Sequence, residues 1–233
     1  MDNAETEALL GAGLYSLPEA ARIIGTNPRT LRQWARSYRY TARGVAYTHQ
    51  PVIYRHLEDE EVLTFLELIE LYFVRLFRSA GVSMPVIRKA AQAAAQRFDT
   101  PYAFAVKRFD TDGTSIFATL SDQPGDHLLT EDLARGQYAF TEMVRPYFRK
   151  LDYRGNAEAL RFWPRDHDGR VVLDPTRQFG APIDAETGVQ TRALYDAVVA
   201  GHGQSYEDVA CWFEVPVAAV EAAVAYERSL AAA

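Results

Sequence analysis

Seven arginines (Arg22, Arg29, Arg32, Arg36, Arg39, Arg43 and Arg55) fall in the stretch from Ser16 to Arg55, where the only acid is Glu19. This window carries +6 in a chain whose formal net charge is −6. Guanidinium groups match phosphate oxygens, and a basic patch segregated in this way is the electrostatic footprint of nucleic acid. Thr30 and Gln33 lie among them, and side chains of these types can read base edges. Other chemistries lack their residues. The sequence holds no nucleophile paired with a base, no phosphate-cradling glycine loop and no ligand cluster. His49, His56, His127, His167 and His202 are scattered, none at zinc spacing. Asp110-Thr111-Asp112-Gly113 lacks the further acids of a calcium loop. The chain therefore reads as a non-enzyme that needs no cofactor or metal.

To enter a groove together, the polar side chains must share a helix surface. Ser16 is a good N-cap, with Pro18 in the first turn and Glu19 three residues on. Ala20, Ala21, Ile23 and Ile24 make a small apolar face, and Gly25 suits a left-handed helix end. Asn27-Pro28 restarts a helix, in which Leu31, Trp34, Ala35 and Tyr38 share one side. Arg29, Thr30, Arg32, Gln33 and Arg36 are left on the others, as a helix in a DNA major groove requires. Tyr40 to Tyr54 is β-rich, with Gly44 as a turn and Pro51 suited to an edge. A hairpin there would be a wing from which Arg39, Arg43 and Arg55 reach backbone phosphates. Tyr47 and His49 pack that hairpin.

At 233 residues the chain can hold one large or two small domains with a proper core. No run approaches the roughly 18 apolar residues of a membrane span. The acidic start, MDNAETEALLGAG, lacks the basic opening of a signal peptide. A cytoplasmic protein is expected, with residues 1–15 as a loose arm. The single cysteine, Cys211, excludes an intrachain disulfide framework and reads as a buried core thiol. Leu57 to Ala80 is the longest apolar-periodic stretch, a helix with Glu58 to Glu61 in its first turn. Ser83 caps another helix running to Phe98. Between Phe104 and Leu120, apolar residues flank Asp112-Gly113, which predicts a β-hairpin. A polar linker at 121–127 precedes helix from Thr130 to Lys150. Two short strands follow around Gly155-Asn156, and then VVLDP and FGAPI as extended pieces. Three helices close the chain, one over Thr191 to Ala200, one capped by Ser205 with Asp208, and one restarted by Pro216. Residues 151–233 hold 13 acids and seven arginines. Phosphate would repel that end, so it reads as a protein-interaction or dimerisation module. The fold expected is α+β and mostly α: a winged helix-turn-helix, a small central β-hairpin element and a C-terminal three-helix domain preceded by short strands.

SLPEAARIIGTNPRTLRQW followed by LIELYFVRLFRSAGVSMPVIRKA resembles the MerR-like class of DNA-binding domains. In that class a helix ending R-x-x-G-V-S leads into one beginning with an apolar residue, x, Ile and Arg. The chain departs from the sensing members of the class in having no C-terminal cysteine cluster and no long dimerising helix. The stretch VVLDPTRQFGAPIDAETGVQTRALYDAVVAGHGQSYEDVACWFEVPVAAVEAAVAY is similar to a small antitoxin domain. It carries Asp174-Pro175, Gly180-Ala181-Pro182-Ile183, Gly188-Val189-Gln190-Thr191 and two patterned final helices. Together the ends resemble a VapB-type antitoxin of the kind paired with a PIN-domain ribonuclease toxin. The resemblance implies residues 15–98 as the DNA-binding domain, 99–165 as a central connector and 166–233 as the antitoxin-like domain. It further implies autoregulation, a homodimer on operator DNA and a toxin whose acidic centre an arginine would meet. Arg170, Arg177 and Arg192 flank the motif and are the candidates for that contact. The alternative is a stand-alone MerR-like regulator whose aromatic middle lines a small-ligand pocket.

Overall fold

The computed structural model describes residues 11–42, 45–57, 61–121, 134–155, 157–167, 169–200 and 204–231. The architecture is α+β and mostly helical, in two compact units. One comprises residues 16–148 and 153–159, and the other residues up to 15, 149–152 and 160–233. Region 99–165 is therefore divided between them.

A short strand, β1 (Leu14–Ser16), runs into the first unit, which opens with α1 (Leu17–Ile24), α2 (Pro28–Ala35) and an antiparallel hairpin. The hairpin strands are β2 (Tyr38–Ala42) and β3 (Val45–His49), with Tyr38 opposite His49 and Ala42 opposite Val45. Strand β4 (Val62–Thr64) precedes α3 (Phe65–Ser79). The acids at 58–60 lie outside the described residues, and Glu61 stands before β4. The expected acidic first helical turn is thus corrected: Thr64 and Glu67 form a capping box, and α3 starts four residues after Glu61. Helix α3 is covered nearly all round, as a helix apolar on most faces must be. It packs against α1, α2 and α4 (Met84–Phe98).

Two carboxylates are buried in α3. Glu70 Oε1 accepts the backbone N–H groups of Phe104 (2.6 Å) and Ala105 (2.7 Å). Glu67 accepts from the N–H of His56 (2.6 Å) and of Thr64 (2.8 Å). Each satisfies amides that a loop would otherwise bury unpaired.

The hairpin expected between Phe104 and Leu120 is overturned. Residues Lys107–Ser121 form α5, running straight through Asp112-Gly113. Phe109, Gly113, Ile116 and Phe117 recur at helical spacing and are buried on one side. A Cβ at Gly113 would collide with the Phe140 ring, so this glycine serves close packing and not a turn. Phe140 belongs to a further helical stretch, residues 134–150, that widens at Phe140–Val144 and tightens at Arg145–Lys150, beside Pro146. Its rings and those of α3 and α5 fill one another's space. Phe109 and Phe140 centroids are 5.1 Å apart, Phe77 and Phe117 5.5 Å, and Phe73 stacks on Phe148 at 4.5 Å. The central aromatics that a ligand pocket would have needed are largely this core.

In the second unit β5 (Leu151–Tyr153), β6 (Ala159–Phe162), β7 (Val171–Leu173) and β8 (Pro182–Asp184) form a sheet in chain order. Three helices follow: α6 (Thr191–Ala200), α7 (Tyr206–Phe213) and α8 (Val217–Ala231). Ser205 and Asp208 make the expected capping box. Leu194, Val209, Val220, Ala223 and Val224 meet in the core between these helices. Thr191 donates to Glu227 at 2.6 Å, a buried tie between α6 and α8. Cys211, expected inside, is exposed beside exposed Trp212, because the helix turns Val209 and Ala210 inward instead. The loose-arm expectation fails at its end, where Tyr15 is fully buried; residues 1–10 lie outside the described residues.

Candidate nucleic-acid interface

Four local devices place the polar face. Ser16 Oγ accepts the Glu19 N–H at 3.4 Å and starts α1. Gly25, left-handed at φ 73°, ends it, and the Thr26 N–H returns to the Ala21 carbonyl at 2.9 Å. Asn27 Oδ1 accepts the Arg29 N–H at 2.8 Å, and Pro28 opens α2. Leu31 and Ala35 then turn inward, leaving Arg29, Arg32 and Gln33 exposed and Thr30 and Arg36 half-buried. Eight residues of helix span about 12 Å. That is close to the width of a B-DNA major groove, about 12 Å.

Arg22 is exposed on the last turn of α1. Arg39 stands on β2; its side chain, like those of Tyr47 and His49, lies outside the described residues, as do Arg43 and Gly44 entirely. Arg55 corrects the expectation of a phosphate contact. Its guanidinium faces inward, donating to the carbonyls of Val62 (2.6 Å) and Ala35 (3.4 Å) and to Glu67 Oε1 (3.2 Å). The side chain is only 14% exposed. It ties the end of α2 to the start of α3, helped by the Val52 N–H on the Trp34 carbonyl at 2.8 Å.

Sequence reasoning missed Glu61. Its two carboxylate oxygens accept from Arg32 on α2 (2.8 Å) and from Arg36, the residue that ends the helix (2.5 Å). The Arg32 hydrogen bond, joined by that from Arg36, holds the carboxyl below the usual carboxylate range. The arginine-rich window ends at residue 55, short of this partner. No sequence spacing announces a pair 29 and 25 residues apart.

The three C-terminal arginines are engaged within their own unit. Arg170 grips Asp184 through both oxygens (2.7 and 3.1 Å) and reaches Glu186 at 2.8 Å. Burial pushes the Asp184 carboxyl up. The hydrogen bonds from Arg170 and Thr187 outweigh this and hold it below the usual range. Arg177 donates to the Ala185 carbonyl at 3.0 Å, and Arg192 pairs with Asp196 at 2.8 Å.

A family model described as "Putative DNA-binding HTH domain" matches residues 13–91, which is β1 through the first half of α4. The chain is also similar to the X-ray crystal structure of Rv2018 from Mycobacterium tuberculosis, with TM-score 0.70 and 25% identity over 90% of this chain and 96% of that one. It is 31% identical over 209 residues to "Putative antitoxin VapB45" of Mycobacterium tuberculosis (strain ATCC 25618 / H37Rv), covering 84% of this chain and 87% of the relative. The chain belongs to the VapB45 antitoxin family. In this VapB45-family chain the residues matched by the helix-turn-helix model include both α1 and α2, the helix that carries Arg29, Arg32 and Gln33. No single helix among the described residues is long and apolar enough to cross a membrane.

Proposed function

We propose that the chain is the antitoxin of a type II toxin–antitoxin system, binding and neutralising a PIN-like ribonuclease toxin and repressing its own operon. In this reading residues 15–98 are a MerR-like winged DNA reader and residues 166–233 bind the toxin, dimerise the chain, or both. The observation that carries the DNA half is the solvent face of α2, where Arg29, Thr30 and Gln33 stand on a helix capped at one end and pinned at the other. The VapB45 relationship and the acidic C-terminal composition support the toxin half. Arg29, Thr30, Gln33 and Arg36 would face bases or flanking phosphates, while Arg22, Arg32, Arg39 and Arg43 would hold the backbone. Arg29→Ala or Gln33→Ala should weaken binding to the preferred operator duplex by about 1–3 kcal/mol and relax its sequence preference. Fluorescence anisotropy on operator and scrambled duplexes reads this. Equal losses on both would remove these side chains from base reading.

A further inference from the structure

In the second unit, residues 178–180 pass through three consecutive left-handed conformations: φ is 48° at Gln178, 54° at Phe179 and 85° at Gly180. Glycine adopts this region freely, but a bulky aromatic there is an outlier that only surrounding structure can enforce. The enforcement is visible on both sides of the turn. Before it, Asp174 Oδ1 accepts the Thr176 N–H (3.0 Å) and hydroxyl (2.6 Å), and Arg177 donates to the Ala185 carbonyl. After it, the buried Tyr15 hydroxyl donates to the Gly180 carbonyl at 2.7 Å, and a Cβ at 180 would collide with that hydroxyl. Gln190 Nε2 donates to Gln178 Oε1 at 3.2 Å across the turn. All this holds a phenylalanine ring outward, 65% exposed. Glycine or asparagine would suit the backbone better, and neither would present a ring.

The net charge of this end of the chain selects the visitor. The 13 acids and seven arginines of residues 151–233 repel a phosphate backbone and attract a basic polypeptide surface. Arg170, Arg177 and Arg192 already bond within the unit, so what the turn offers a partner is an aromatic and not a cation. We infer that Phe179 is the anchor by which this unit docks its toxin, its ring entering an apolar pocket on a basic protein surface. The inference rests on the antitoxin reading above and deepens it.

The test uses the full chain and the purified PIN-domain product of the adjacent gene, with titration calorimetry and thermal unfolding. Wild type should bind. Phe179→Gly should lose about 30-fold or more in affinity, as removal of an aromatic hot spot does. The same variant should unfold at a higher temperature, because glycine relieves the left-handed strain. Phe179→Trp, which keeps an aromatic ring, should retain binding. Wild-type binding with Phe179→Gly unchanged within twofold overturns the anchor and leaves the antitoxin reading intact. No binding by wild type overturns both. A self-associating wild type that Phe179→Gly makes monomeric, with toxin affinity unaltered, assigns the ring to a second copy and also overturns the proposal.

Discussion

Glu61 changes how the basic end must be counted. Two of the arginines that give α2 its charge share one carboxylate, so part of the +6 is answered within the protein. That carboxylate also fixes two long side chains that would otherwise sweep freely over solvent. Glu61→Gln should therefore tighten binding to every duplex, matched or not, and steepen the salt dependence. Each phosphate newly neutralised adds about 0.9 to the slope of log K against log salt. An unchanged slope would mean that Arg32 and Arg36 do not face DNA. The residues readable in advance were those whose role is local. Asn27, Pro28 and Gly25 announce their caps within a few positions, and Arg29 and Gln33 follow from the helix they start. Arg55 cannot be told apart in the sequence, because seven like charges look alike there. What separates it is burial against Ala35, Val62 and Glu67, all contacts made by folding.

Among the elements, α3 was legible from its periodicity, but its two interior acids were not. Glu70 is the sharper case. Burial raises its carboxyl from an ordinary 4.5 to about 8, against the lowering effect of the Ala105 and Phe104 amides. Between these values the folded chain keeps a proton that the unfolded chain has released. Stability should therefore fall as pH rises from 4.5 to about 8 and flatten above, by up to about 1.4 kcal/mol per pH unit for this one group. Urea midpoints across that window read it directly. Glu70→Gln, which keeps an acceptor for the two amides, should remove most of the slope; a slope unchanged in the variant would place the titration elsewhere. Helix α5 is where local chemistry misled. Asp-Gly between apolar residues is a turn signal only when its neighbours alternate. Here Phe109, Ile116 and Phe117 keep helical spacing, and Gly113 is small because the Phe140 ring lies on it. The partner ring is 27 positions away, so no window short enough to predict a turn could contain it.

For the whole molecule, the segregation of charge sets the behaviour. A net-acidic protein with a basic amino end should bind duplex through that end alone, with log K falling linearly as log salt rises. If the chain acts as a dimer, two half-sites should lie about 10 base pairs apart, one turn of the double helix, and footprinting across a salt series would show both. A flat salt response would overturn the assignment of the basic end.

The inward reach of Arg55 has a consequence for how such a footprint is made. Its ties to the Ala35 and Val62 carbonyls, with the Val52 amide on Trp34, clamp the segment that follows the hairpin to the far end of α2. The root of the hairpin and the helix thus form a preshaped grip. Little freedom remains to be frozen when it closes on a duplex.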